Sequence, residues 1–205
     1  MKETIKISLT EFMNFVNKSG SAKATVVKNA KKRRESDYEH FQDYWLPLRK
    51  KIKDVHKKMK SKDSLYELLN TIPGNQIENY KLAIDGYCKF WKKNIIEWVN
   101  PIKKTWAVGD LRIELNPELG LCINGKIYMI KLFISANENI DKRHADLILT
   151  LMEKELRNKL GCDEPTFAVL DVKKGKLFVL INRETMLYPL LKGEALSFES
   201  QWKAV

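Results

Sequence analysis

The residues whose types and spacing could do chemistry lie between 105 and 135: Asp110, Glu114, Glu118 and Lys131. Asp110 and Glu114 fall on one face of a strand if the alternation runs unbroken. Glu118 follows on a proline turn, and Lys131 sits where a hydrophobe is expected in the run IYMIKLFI. Carboxylates converging in a polar pocket hold a divalent cation through oxygen. Asp110 and Glu118 are the expected metal pair, for Mg2+ or Mn2+. Such a metal would polarise a phosphodiester while the lysine orients or activates a water. A lysine on an apolar strand must find a partner or give up its proton more readily, because its charged form is poorly solvated there. Each residue also has a plain structural use. Glu118 could be a turn carboxylate, Asp110 and Glu114 exposed strand residues, and Lys131 a snorkelling or ion-paired amine. Asp171 ends a strand, with no motif behind it.

The elements that must position these groups are strands. Residues 107–115 read as one strand and 116–120 as a turn. Residues 121–123 and 127–134 read as a hairpin closed at Asn124-Gly125, a strong local turn signal. In the last strand Met129 and Lys131 face one way and Ile130 and Leu132 the other, with apolar neighbours on both sides. That is the pattern of a central strand covered on two faces. Residues 141–160 read as an amphipathic helix, followed by strands over 166–172 and 177–181 joined at residues 173–176.

Upstream the period is helical. Ser8 and Glu11 have capping-box spacing and predict a helix over 8–16 that Gly20 can end. Residues 17–36 are polar and basic and read as a linker or surface loop, with one short strand at Thr25-Val26-Val27. Tyr38, Phe41, Trp45, Leu48, Ile52, Val55 and Met59 recur at intervals of three and four. They predict a long helix, started by Ser36 or Asp37, that Pro47 kinks near Trp45. Residues 63–70 read as a short helix capped by Asp63. A second stripe, from Ile77 to Trp98, predicts a helix over 76–99 stopped by Asn100-Pro101. The tail, 184–205, reads as a short helix and a docked segment. The expected fold is α+β: a basic helical region over 1–104 and an α/β sheet region over 105–205. The helix over 76–99 joins them in one core, around a mixed sheet of about five strands in α-β-β-β-α-β-β order.

The succession of helix, hairpin, third strand, helix and strand over about residues 85–181 resembles the core of the PD-(D/E)xK nuclease superfamily. In that family a Pro-Asp-like acid precedes a (D/E)xK triplet on the next strand. Pro117-Glu118 stands at the first position, and ten residues, 119–128, separate it from Met129-Ile130-Lys131. The lysine fits, and Met129 stands where the acid would be. Some members relocate that acid, which makes Asp110, Glu114, Asp146 and Glu153 the replacements to examine. The resemblance implies divalent-metal-dependent phosphodiester hydrolysis by Glu118, Lys131 and a relocated acid, or a core that has lost its activity.

Charge points the same way from a different part of the chain. The net charge is +11, and residues 1–60 hold 16 Lys/Arg against 7 Asp/Glu. A basic third is the electrostatic footprint of a polyanion. The expected partner is DNA or RNA, contacted by Lys31, Lys32, Arg33, Arg34, Lys50, Lys53 and Lys57. The competing reading is a non-enzymatic module, in which the aromatic-rich helices dock a protein partner or a second copy and the lysines form a solvated rim. No apolar run reaches membrane-span length, and the N-terminus lacks a secretory signal. Cys88, Cys122 and Cys162 are not at metal-ligand spacing and read as reduced thiols of a cytoplasmic protein. His40, His56 and His144 are isolated, and no zinc motif, glycine-rich phosphate loop or nucleophile elbow occurs.

Overall fold

A computed structural model describes residues 4–35, 43–157, 165–180 and 187–205. In chain order the first half contains β1 (Ile5–Ser8), α1 (Leu9–Val16), α2 (Ser21–Glu35), α3 (Leu46–Lys57), a 3₁₀ segment (Lys62–Asn70), α4 (Ile77–Trp91) and β2 (Ile96–Val99). The second contains β3 (Lys104–Val108), β4 (Leu111–Leu115), β5 (Leu119–Ile123), β6 (Lys126–Phe133), α5 (Lys142–Leu156), β7 (Thr166–Asp171), β8 (Lys176–Val179) and α6 (Leu187–Ala204).

The mixed five-stranded sheet runs β2-β5-β6-β7-β8, and a separate three-stranded sheet runs β1-β4-β3. β6 is the middle strand of the larger sheet. It pairs antiparallel with β5 through Asn124-Gly125, whose φ values of 49° and 83° are both left-handed, as a two-residue hairpin turn requires. It pairs parallel with β7, and Lys131 lies opposite Val169. α5 makes the crossover between them, capped by Asp141, whose carboxylate accepts the His144 N–H at 2.8 Å.

Both faces of this sheet are covered. Met129, Phe167, Val169 and Phe178 pack with α1, α5, α6 and the smaller sheet, while Leu119, Leu121, Ile130, Leu132, Ala168 and Leu170 pack against α3 and α4. The α+β class and the two-sided covering follow the sequence pattern. β1 and β2, both from the first 104 residues, complete sheets whose other strands come later.

Several expectations need correction. Residues 107–115 are two strands rather than one, because Gly109 takes a left-handed φ of 55° and turns the chain at Gly109-Asp110. Residues 21–35 form α2 instead of a loop. Ala, Lys and Arg favour helix, and burial of Val27 and Ala30 is enough to dock it. Pro47 starts α3 rather than kinking it, since a proline in the first turn removes only an amide that has no partner there. Residues 62–70 are a 3₁₀ helix capped by Ser61 rather than Asp63. α4 ends at Trp91, Lys92 follows with φ of 45°, and Trp98 belongs to β2. The described part of the tail is one long helix, α6. The proposed caps Ser36 and Asp37, the stripe positions Tyr38 and Phe41, His40, the helix end at 158–161, Cys162 and Ile181 lie outside the described residues. No described helix is long and apolar enough to cross a membrane.

Candidate nucleic-acid interface

Lys131 and Glu118 meet. Glu118 precedes β5, and its Oε1 accepts from Lys131 Nζ at 2.5 Å while Oε2 accepts from the Leu132 backbone N–H at 2.8 Å. The reason is local. β6 has eight residues and β5 five, so β6 outruns its partner. The Leu132 N–H then lies past the end of the ladder and must be satisfied by something else. The Glu118 carboxylate does this and holds the amine as well. The Lys131 and Glu118 side chains are 9% and 11% exposed, so the amine at the centre of the covered sheet is not left without a counter-charge.

This pair lies in a cleft of about 1520 Å³ between α1, α2, α3 and the end of the sheet where β5 starts and β6 finishes. Eight cations line it: Lys18, Arg33, Arg34, Arg49, Lys53, Lys57, Lys103 and Lys131. Four carboxylates do so: Glu11, Asp43, Glu118 and Glu138. Three of the four serve neighbours: Glu11 caps α1 and binds Arg33, Asp43 binds Arg49, and Glu118 holds Lys131. Among the described lining residues, cations therefore outnumber carboxylates eight to four. Lys53 is held below the usual lysine pKa, first by burial. Glu118 pulls the other way, and Lys103, Arg49 and Lys131 add like-charge repulsion. An anion placed there would relieve that repulsion. Arg49, Lys53 and Lys57 recur at intervals of four on α3, which makes a row of cations spaced about 6 Å along the helix axis. At its end Lys57 Nζ lies 5.1 Å over the half-buried Trp98 ring, whose Nε1–H donates to Asn100 Oδ1 at 3.1 Å.

The other nominated acids are elsewhere. Asp110 is in the β3–β4 turn and accepts from Lys203 of α6 at 2.7 Å, and Glu114 is exposed on β4. Asp146 binds Lys142 within α5, and Glu153 takes Arg157 through two bonds at 2.6 and 2.9 Å. None of the four lines the cleft. The metal pair expected from Asp110 and Glu118 is thus not assembled, because the turn at Gly109-Asp110 sends Asp110 into the smaller sheet. Met129 shares the Lys131 face and is buried in core. Asp171 accepts the Lys174 N–H at 3.3 Å. Among the described residues no three His, Cys, Asp or Glu gather as a metal-holding group.

Of the nominated cations, Arg33, Arg34, Lys53 and Lys57 line the cleft. Lys31 instead donates to the Trp202 and Val205 carbonyls, and Lys32 and Lys50 are exposed away from it. Arg49 was missed, although its spacing from Lys53 and Lys57 was visible. Lys18, Lys103 and the exposed side of Trp98 had no such signal.

Fold and site together define a class: an α+β protein with a basic cleft at the strand ends of a central mixed sheet. Comparison with known proteins adds no narrower assignment. No family model matches the chain, and no curated protein is similar to it in sequence.

Proposed function

We propose that the protein binds nucleic acid in this cleft, on a nuclease-like core. The observation that carries the reading is the Glu118–Lys131 contact inside a cleft with eight cations. The chain runs α4, β2, β3, β4, β5–β6 hairpin, α5, β7, with β3 and β4 in the smaller sheet; the helix, hairpin, helix and strand that remain support the nuclease-like reading, with the acid and the lysine side by side. The donor set does not fit a Mg2+ or Mn2+ ion: both Glu118 oxygens are already hydrogen-bonded, and the acid position of the triplet holds a buried methionine. Binding without hydrolysis is therefore the reading preferred. The protein-docking alternative would rest on exposed apolar side chains such as Met59, Leu82, Ile95 and Leu196, which lie on four separate elements or turns.

The test is fluorescence anisotropy with labelled oligonucleotides over a salt series. Each phosphate neutralised releases condensed counterion, so affinity should fall steeply and log-linearly with salt. No binding at low salt, or affinity indifferent to salt, would refute the proposal. A parallel incubation with magnesium or manganese should leave the oligonucleotides intact. Cleavage that disappears in Glu118→Ala and Lys131→Ala would make the protein an enzyme and overturn the binding-only reading.

A further inference from the structure

We propose that the cleft takes single-stranded rather than duplex nucleic acid, with a base stacked on Trp98 and the adjoining phosphates along Arg49, Lys53 and Lys57. The inference rests on the nucleic-acid reading above and goes beyond it to the form of the ligand.

Three features point to it. The cleft, at about 1520 Å³, exceeds the roughly 300–1,000 Å³ typical of drug-sized sites. It has room for a short run of nucleotides rather than one small anion. Next, the cations are set as a row along one face of α3, which suits a chain of phosphates. Lys53, in the middle of that row, is close enough to Glu118, Lys131, Lys103 and Arg49 to feel their charges, so a phosphate beside it meets several cations at once. Finally, an aromatic ring stands at the end of the row. Asn100 accepts from the Trp98 indole N–H, the half-buried ring packs against the core on the α3–α4 side of the sheet, and the ammonium of Lys57, an exposed side chain, lies over the ring. A base can replace that ammonium on the ring, and Lys57 can then follow the phosphate. Stacking of this kind needs a base that is not already stacked and paired, and it tolerates any base because each has a π-face. A duplex offers the row its phosphates but keeps its bases from the indole.

The experiment compares one labelled 12-mer sequence as single-stranded DNA, as single-stranded RNA and as a blunt DNA duplex, at one ionic strength, by anisotropy. At least one single strand should bind tenfold or more tighter than the duplex. Trp98→Ala should weaken single-strand binding by ~5- to 150-fold, the range for loss of one stacked base, and leave duplex binding within about twofold. Trp98→Phe should recover most of the loss. Lys53→Ala should reduce the slope of log affinity against log salt by about 0.7 for a single strand. Circular dichroism and thermal melting check that each variant is folded. Duplex binding as tight as both single strands, or a folded Trp98→Ala variant that binds them like the parent, would overturn this inference and leave the broader nucleic-acid reading standing. No binding of any oligonucleotide would remove both.

Discussion

Removing the Glu118 carboxylate should destabilise the fold more than removing the Lys131 amine that it holds. Glu118→Ala leaves the Lys131 ammonium beside Lys53 without the carboxylate that holds it, and also strips the Leu132 N–H of its acceptor. Breaking a fully buried pair from one side costs about 3–5 kcal/mol. This pair borders a cleft and keeps 9% and 11% exposure, so water can reach it, and about 2–3 kcal/mol is the apt figure. The orphaned amide adds about 1 kcal/mol. In Lys131→Met the carboxylate keeps its Leu132 bond and has Lys53 nearby, so about 1–2 kcal/mol is expected. The double variant Glu118→Ala with Lys131→Met removes both charges, and should lie closer to the parent than Glu118→Ala does. Urea titration reads this directly: with a slope of about 2 kcal/mol/M, a loss of 3 kcal/mol moves the midpoint by about 1.5 M. Equal, small losses from the two single variants, or a double variant whose loss is the sum of the singles, would show that the pair is not coupled.

Two further predictions concern the face of the sheet covered by α3 and α4. His56 bonds Tyr87 at 2.7 Å, stacks on Trp91, and burial lowers its pKa from 6.5 to about 4. A depressed histidine stabilises the fold above its unfolded pKa, and that stability is lost as pH falls from about 6.5 toward 4. The parent should therefore lose about 2 kcal/mol more than His56→Phe between pH 7.5 and 5, and parallel urea midpoints in the two proteins would contradict it. Gly86→Ala should lower thermal stability by about 1–3 kcal/mol despite alanine's better helix propensity. A Cβ there would run into the Val172 and Lys173 carbonyls, and an unchanged or raised melting temperature would refute this.

How much was legible depends on how far apart in the chain each answer lay. Asn124-Gly125 declared its own turn, and the hairpin it closes brings Glu118 to Lys131 over thirteen residues. The contact was therefore readable from local pattern. Gly109-Asp110 carried a similar signal but sat inside an apolar alternation, VGDLRIEL, which masked it as a single strand. The placing of Asp110 and Glu114 then turned on which sheet took β4. That is decided by β1, about a hundred residues away, whose four residues gave no strong pattern. The stripe through Trp98 kept helical spacing by coincidence after α4 had ended, and this hid a strand carrying the cleft's half-buried indole. α2 was obscured for the opposite reason. Only Val27 and Ala30 of its fifteen residues are buried, too few to make a stripe.

The docking of α2 onto α6 has a consequence for the order of assembly. Lys23 binds Glu194, Lys31 reaches the Trp202 and Val205 carbonyls, and Val27 and Ala30 share a core with α6 residues Ala195, Phe198 and Trp202. During synthesis the segment bearing Arg33 and Arg34 emerges early and can meet α1 at once, through Arg33 and Glu11, while the α6 part of the surface it rests on is made more than 150 residues later. Contacts so distant in sequence form late, after the loops between them have closed. Until α6 has been made, this wall of the basic cleft can lean on α1 but lacks the contacts that Lys23, Val27, Ala30 and Lys31 make with α6.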